Sequence, residues 1–143
     1  MPEKLSQRLR DIVDALPIRP GLRILEIGCG PGAMAREMAR RLEGKGHVLG
    51  IDRSATAIAQ SQAGSADETA AGTLSFRQSA AEAFKLAAGE EPFDLAVAIR
   101  VGALDGRHPE AGIPARAAIK AALKPGGKLY IDGGDPLREV DLG

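Results

Sequence analysis

Apolar and polar positions along this chain follow two periods. Leu5, Leu9, Ile12, Val13 and Leu16 recur every three or four residues, with Lys4, Arg8, Arg10 and Asp11 between them, which predicts an amphipathic helix. Pro17 and Pro20 end it. Ile24-Leu25-Glu26-Ile27 is nearly all apolar, as a parallel strand covered on both faces must be, and the glycines that follow break it with a turn. Met34, Met38 and Leu42 then repeat every four residues and predict a helix over 33–42. Past the turn at Gly44 and Gly46, residues 47–52 read as a second buried strand ending in Asp52, and Ser54 is placed to cap a helix over 55–62. The small, polar stretch 63–72 reads as a loose helix end and a loop. Residues 73–77 alternate like a short third strand, and 80–88 reads as a helix stopped by Gly89 and Pro92. Residues 93–99 form a fourth, almost wholly apolar strand. A loop with Gly102, Gly106 and Pro109 follows. A helix over 115–123 then carries Ala118, Ile119, Ala122 and Leu123 on its covered face. Lys124-Pro125-Gly126-Gly127 turns the chain into a fifth strand, 128–132.

Strands alternating with helices imply a doubly wound α/β fold: a mostly parallel sheet of five strands, order 3-2-1-4-5, with helices on both faces. A chain of 143 residues fits one domain, 1–143. Ligands of such sheets lie at the carboxyl ends of the strands, which sets Gly28, Asp52, Ala80, Arg100 and Asp132 along one rim.

The turn after the first strand carries the first chemical signal. Alternating glycines let a ligand approach the backbone, and the free amides of a following helix favour an anionic group. Gly28-x-Gly30-x-x-Ala33 fits the dinucleotide pattern, and Asp52, which ends the second strand, can accept both hydroxyls of a ribose. That geometry suits NAD and S-adenosylmethionine alike. Glu26, the third glycine Gly32 and the internal Pro31 point to the second. Glu26-Ile27-Gly28-Cys29-Gly30-Pro31-Gly32 resembles the first motif of the class I S-adenosylmethionine-dependent methyltransferases.

The resemblance runs over residues 20–133. Phe93-Asp94-Leu95-Ala96-Val97 resembles the family's fourth strand, and Leu123-Lys124-Pro125-Gly126-Gly127-Lys128-Leu129 its approach to the fifth, which no dinucleotide fingerprint includes. It implies a Rossmann-like methyltransferase fold with S-adenosyl-L-methionine as cofactor. Glu26, Gly28, Cys29, Gly30, Gly32, Asp52, Arg53, Ala80, Ala81 and Arg100 are then its expected cofactor-binding residues. The sequence departs from the family at Ala80, where an Asp commonly accepts the adenine amino group. One such bond contributes about 0.5–1.5 kcal/mol net, so the departure weakens adenine recognition and leaves binding in place. Arg100 to Pro109 falls where the family places groups facing the transferred methyl. His108 and Asp105 are its candidates for a general base. No Asn/Asp-Pro-Pro-aromatic tetrapeptide is present, which argues against a base-directed amino methylase. Cys29 lies inside the cofactor turn as a small filler rather than a nucleophile, and no cluster has metal-ligand spacing.

Composition narrows the partners. Basic and acidic residues balance at 19 each and aromatics are 3%, so neither an overall field nor stacking surfaces favour nucleic acid. No apolar run is long enough for a membrane span, Met1-Pro2-Glu3-Lys4 lacks a signal core, and one cysteine forms no internal disulfide. A cytoplasmic methyltransferase acting on a small-molecule acceptor is the expectation. The alternatives are a cofactor- or partner-binding domain with little activity of its own and an NAD-dependent oxidoreductase. Eleven residues follow Asp132, too few for a helix and two strands. The fifth strand is therefore expected at an edge, with Leu129, Tyr130 and Ile131 unpaired and inviting a homodimer. The alternative is that Leu137-Arg138-Glu139-Val140 folds back over it.

Overall fold

A computed structural model describes residues 4–143; Met1, Pro2 and Glu3, part of the stretch read as lacking a signal core, lie outside the described residues. The elements run α1 (Gln7–Ala15), β1 (Arg23–Ile27), α2 (Ala33–Arg41), β2 (His47–Asp52), α3 (Ala55–Ala63), α4 (Ala66–Ala70), β3 (Leu74–Gln78), β4 (Phe93–Ala98), α5 (Gly102–Asp105), α6 (Pro109–Ala122), β5 (Leu123–Asp132) and β6 (Leu137–Val140). Side-chain caps start two of the helices. The Ser6 hydroxyl accepts from the Leu9 amide at 3.2 Å, and that of Ser54 accepts from Ala57 at 3.2 Å. Among the described residues, no helix is long and apolar enough to cross a membrane.

The sheet order is β3-β2-β1-β4-β5-β6, with the first five strands parallel and β6 antiparallel to β5. Side chains alternate across it. Leu25, Ile27, Leu49, Ile51, Ala96, Ala98, Leu129 and Ile131 pack with Ile119 and Ala122 of α6 on one face. Ile24, Val48, Leu74, Leu95 and Val97 pack with Ile12, Val13, Met34 and Met38 of α1 and α2 on the other. Burying such aliphatic side chains contributes about 1.5–3 kcal/mol each. Glu26 shares the face of Ile24, so its carboxyl is turned beneath α2.

Short helices stand at Ala66–Ala70 and Gly102–Asp105, where the sequence reads as a loose helix end with a loop and as a loop, and four larger differences follow. Residues 80–88 hold only a three-residue helical turn, Ala81–Ala83. Phe84 plugs into the core against Phe93, and Glu90 binds Arg77 by both oxygens (3.1 and 2.7 Å) while accepting from the Ala87 amide at 2.9 Å. The Ala87 amide is thereby taken by a side chain, and the Phe84 and Glu90 anchors hold the segment non-helical between them. The last long helix starts at Pro109, where a missing amide is harmless. A Cβ on its Gly112 would lie 2.9 Å from the Ala103 carbonyl, so glycine permits this early turn to pack on α5. The stretch 124–127 is carried inside β5 as an irregularity, with Gly126 at φ +81°.

The fourth difference corrects an expectation. The edge of β5 is not open: Leu129, Tyr130, Ile131 and Asp132 pair with Val140, Glu139, Arg138 and Leu137 of the same chain, giving six strands. Val140 and Leu142 pack against the α6 face of the core and Leu137 against the other. Gly133 at φ +109° makes the reversal tight enough for so short a tail. A homodimer through the fifth-strand edge loses its unpaired backbone.

Removing residues 136–143 is expected to lower the unfolding free energy by about 2–4 kcal/mol in denaturant titration. It should also produce self-association in sedimentation, because β5 then regains its open edge. A truncated chain as stable and as monomeric as the full one would contradict the hairpin's role.

Candidate functional site

The glycine turn is an extension of the sheet. The amides of Gly28 and Cys29 both donate to the Ile51 carbonyl, at 2.8 and 2.9 Å, which ties the end of β1 to the end of β2. Gly30 donates its amide to Asp52 Oδ2 at 2.9 Å, and Ser54 donates its own to Oδ1 at 2.9 Å. The buried Ser61 hydroxyl donates to the Gly30 carbonyl at 2.6 Å. The three glycines do different work. Gly30 (φ +54°) faces open space, so a ligand can approach its backbone. Gly32 (φ +92°) is enclosed, where a Cβ would meet Arg36, Ser61 and Phe76 at 3.0–3.3 Å. Gly28 (φ +74°) lets Val101 of the β4–α5 loop come within 2.9 Å of where a Cβ would stand.

Behind the loop lies a charged interior. Glu26 is 4% exposed, and its Oε1 has no hydrogen-bond partner among the described residues. Burial, and then the nearby Asp52 charge, push its carboxyl up to about 8, against a lowering from Arg36. Arg36, equally buried, donates to the Pro31 carbonyl at 3.1 Å and the Ser65 hydroxyl at 3.0 Å. Burial, followed by Glu26, pushes the Cys29 thiol up to about 12, so it remains a protonated filler.

A cleft of about 410 Å³ opens over the carboxyl ends of β1, β2 and β4, within the small-ligand range of about 300–1,000 Å³. Gly28, Asp52, Arg53, Ala80, Ala81 and Arg100 line it, as does His108. Glu26, Cys29, Gly30 and Gly32 stand behind that lining and shape it. Asp105 does not line it; Arg107 grips both its oxygens (3.0 and 2.8 Å) and holds its carboxyl below the usual carboxylate range. His108 sits on Gly102, with ring Cδ2 only 2.3 Å from where a Cβ would stand. Sequence reasoning passed over Ser79, Glu82, Val101 and Arg107, which also line the cleft. Glu82 was visible as the acidic residue beside Ala80 and Ala81. Arg107 carried no local signal, because only the α5–α6 turn brings it over the rim.

The residues fit an adenosyl cofactor. Each Asp52 oxygen accepts one amide and keeps capacity for a hydroxyl. The Ala80 carbonyl is taken by Ala83 and by the Ser79 hydroxyl, and Glu82 brings a carboxylate to the same wall.

The raised Glu26 carboxyl has a measurable sign. Folding takes up a proton between the ordinary value of 4.5 and about 8, so its contribution makes stability fall as pH rises through that window. Denaturant titrations across the window should show this decline, and Glu26→Gln should flatten it. An equal decline in the variant would remove Glu26 as the cause.

A family profile described as "Methyltransferase domain" matches residues 24–127. The chain is similar to the nocamycin O-methyltransferase of Saccharothrix syringae, 36% identical over 143 residues, covering 97% of this chain and 47% of that protein. It is similar to the ubiquinone biosynthesis O-methyltransferase of Roseobacter denitrificans, 36% identical over 118 residues, covering 82% of this chain and 43% of that one. The chain thus spans less than half the length of these two curated relatives. A crystal structure of a SAM-dependent methyltransferase from Geobacter sulfurreducens, in complex with S-adenosyl-L-homocysteine, shares the fold. Its TM-score is 0.66 and its identity 22%, with 90% of this chain and 48% of that chain covered. The matched profile takes in the glycine loop, the Asp52 wall and the sheet as far as the start of β5; the chain belongs to the class I S-adenosylmethionine-dependent methyltransferases.

Proposed function

We propose that the chain acts as one S-adenosylmethionine-binding unit of a methyltransferase that alkylates a hydroxyl group on a small-molecule acceptor. The observation that carries this reading is Asp52. Its carboxylate ends β2, fastens the glycine loop and faces the cleft with acceptor capacity to spare. The O-methyltransferase names of the two relatives support the hydroxyl, and the balanced charge and few aromatics support a small molecule over nucleic acid. The single, buried, reduced Cys29 supports a cytoplasmic setting.

Asp52 holds the ribose hydroxyls, and Arg53 flanks it on the same wall. Ala80 and Ala81 bound the adenine, and Glu82 accepts its amino group in place of the family's Asp. Gly28, Gly30 and the backbone of Arg100 border the methionine end. Cys29 and Gly32 hold the loop's shape from behind, and Glu26 orders that loop through the charges beneath it. S-adenosylmethionine, when bound, supplies a methyl group on a sulfonium, an electrophile that needs no further activation. The chain's work is then to align an acceptor oxygen and exclude water. His108, on the cleft wall, takes the proton of the acceptor hydroxyl. Asp105, clasped by Arg107, serves that turn rather than the proton.

Calorimetry is expected to show S-adenosylhomocysteine binding, with no heat from NAD. Asp52→Ala should weaken that binding by about tenfold or more, since hydrogen bonds to a charged group contribute about 1.5–3 kcal/mol each. Glu26→Gln should weaken it less. Binding of NAD alone would defeat the reading. Losses in the reverse order would exchange the two roles. Methyl transfer to a hydroxylated acceptor separates an enzyme from a binding domain.

A further inference from the structure

Arg100 combines three features. First, it stands in the left-handed backbone region at φ +60°, which non-glycine side chains seldom adopt; Glu43 (φ +53°) is the other such residue among those described. Second, its backbone is held there. The Arg100 amide donates to Asp132 Oδ1 at 3.0 Å, and Asp132 Oδ2 accepts from Arg8 on α1 at 3.3 Å. Val101, next in the chain, packs against Gly28. Third, Arg100 lines the cleft, and its side chain makes no hydrogen bond or ion pair among the described residues. A glycine there would relieve the backbone. An arginine kept in a strained position beside a cleft marks a functional group.

Its surroundings say what it takes. Asp132 accepts its amide and also Arg8, and Arg107 and His108 line the same cleft. Arg8 is paired with Asp132 and Arg107 with Asp105, whereas the Arg100 side chain has no such carboxylate among the described residues. Asp52 and Arg53 lie at the ribose end of the same cleft.

Resting on the methyltransferase reading, we propose that Arg100 anchors a carboxylate or phosphate group of the methyl acceptor, with Asp132 as its positioning residue. A planar guanidinium offers two parallel donors that match either anion. The anchor would place an acceptor hydroxyl beside His108 at the methyl end of the cleft. The cofactor's own carboxylate shares this chemistry, and the test separates the two.

The experiment is a side-chain NMR titration of the protein saturated with S-adenosylhomocysteine. Benzoate, phenyl phosphate and neutral benzamide are the probes, and the Arg100 Nε–Hε signal is assigned by its loss in Arg100→Asn, a residue that tolerates φ above zero. Benzoate or phenyl phosphate should shift that signal saturably while benzamide does not, and the tighter of the two identifies the group. Arg100→Asn should weaken that anion by about tenfold or more and lower S-adenosylhomocysteine affinity by clearly less than that. Asp132→Asn should displace the free-state Arg100 signal and weaken the anion several-fold. Arg100→Gly should lose the anion yet melt a few degrees higher, which separates lost recognition from lost folding. Absence of a saturable shift with both anions, or unchanged anion binding in Arg100→Asn, overturns the proposal. A tenfold loss of S-adenosylhomocysteine affinity in Arg100→Asn also overturns it, by placing the guanidinium on the cofactor. Failure of the wild-type protein to bind S-adenosylhomocysteine at all overturns the methyltransferase reading, and this inference with it.

Discussion

The molecule depends on how the first turn is fastened to its neighbouring strand. Two consecutive amides, of Gly28 and Cys29, share the Ile51 carbonyl, and a third, of Gly30, reaches the Asp52 carboxylate. Such bonds require left-handed backbone at alternate residues, which only glycine adopts without strain. Once fastened, the loop sets where α2 begins, what Ser61 can reach and how near Val101 can come. The same Asp52 that shapes the loop also faces the cleft, so building the site and filling it draw on one carboxylate.

That economy explains the charges beneath the loop. A buried carboxyl at Glu26 opposes a second negative charge at Asp52, and Arg36 counters the Glu26 charge from α2. The loop therefore rests on a balance of field and burial rather than on an apolar plug. A proton on Glu26 favours the folded state, whereas a cation arriving near the loop favours its release.

The strands were legible because parallel strands covered on both faces must be apolar almost throughout, as 24–27, 48–51 and 95–98 are apart from Glu26. The glycine loop was legible because its left-handed backbone demands glycine, and Asp52 because a carboxylate ending the second strand of such a sheet faces the cleft. The helix expected over 80–88 was not found because Phe84 and Glu90 bind partners outside the segment, which no local pattern reveals. The tail was read as too short for a helix and two strands; a hairpin takes only the reversal 133–136 and the strand Leu137–Val140. Arg107 and Glu82 join the cleft through loop geometry, and Arg100 became distinctive only through its backbone. Spacing in the sequence reports neither.

The reversal at Gly133 also decides where the chain leads. β6 runs back toward the starting ends of the other strands, and the Gly143 carbonyl accepts from Lys120 near the end of α6, at 2.7 Å. The cleft lies at the opposite pole of the sheet. Whatever is joined after residue 143, whether an affinity tag, a surface tether or a fused domain, therefore leaves from the pole away from the ligand, and the protein can be immobilised by that end with its cleft facing solution.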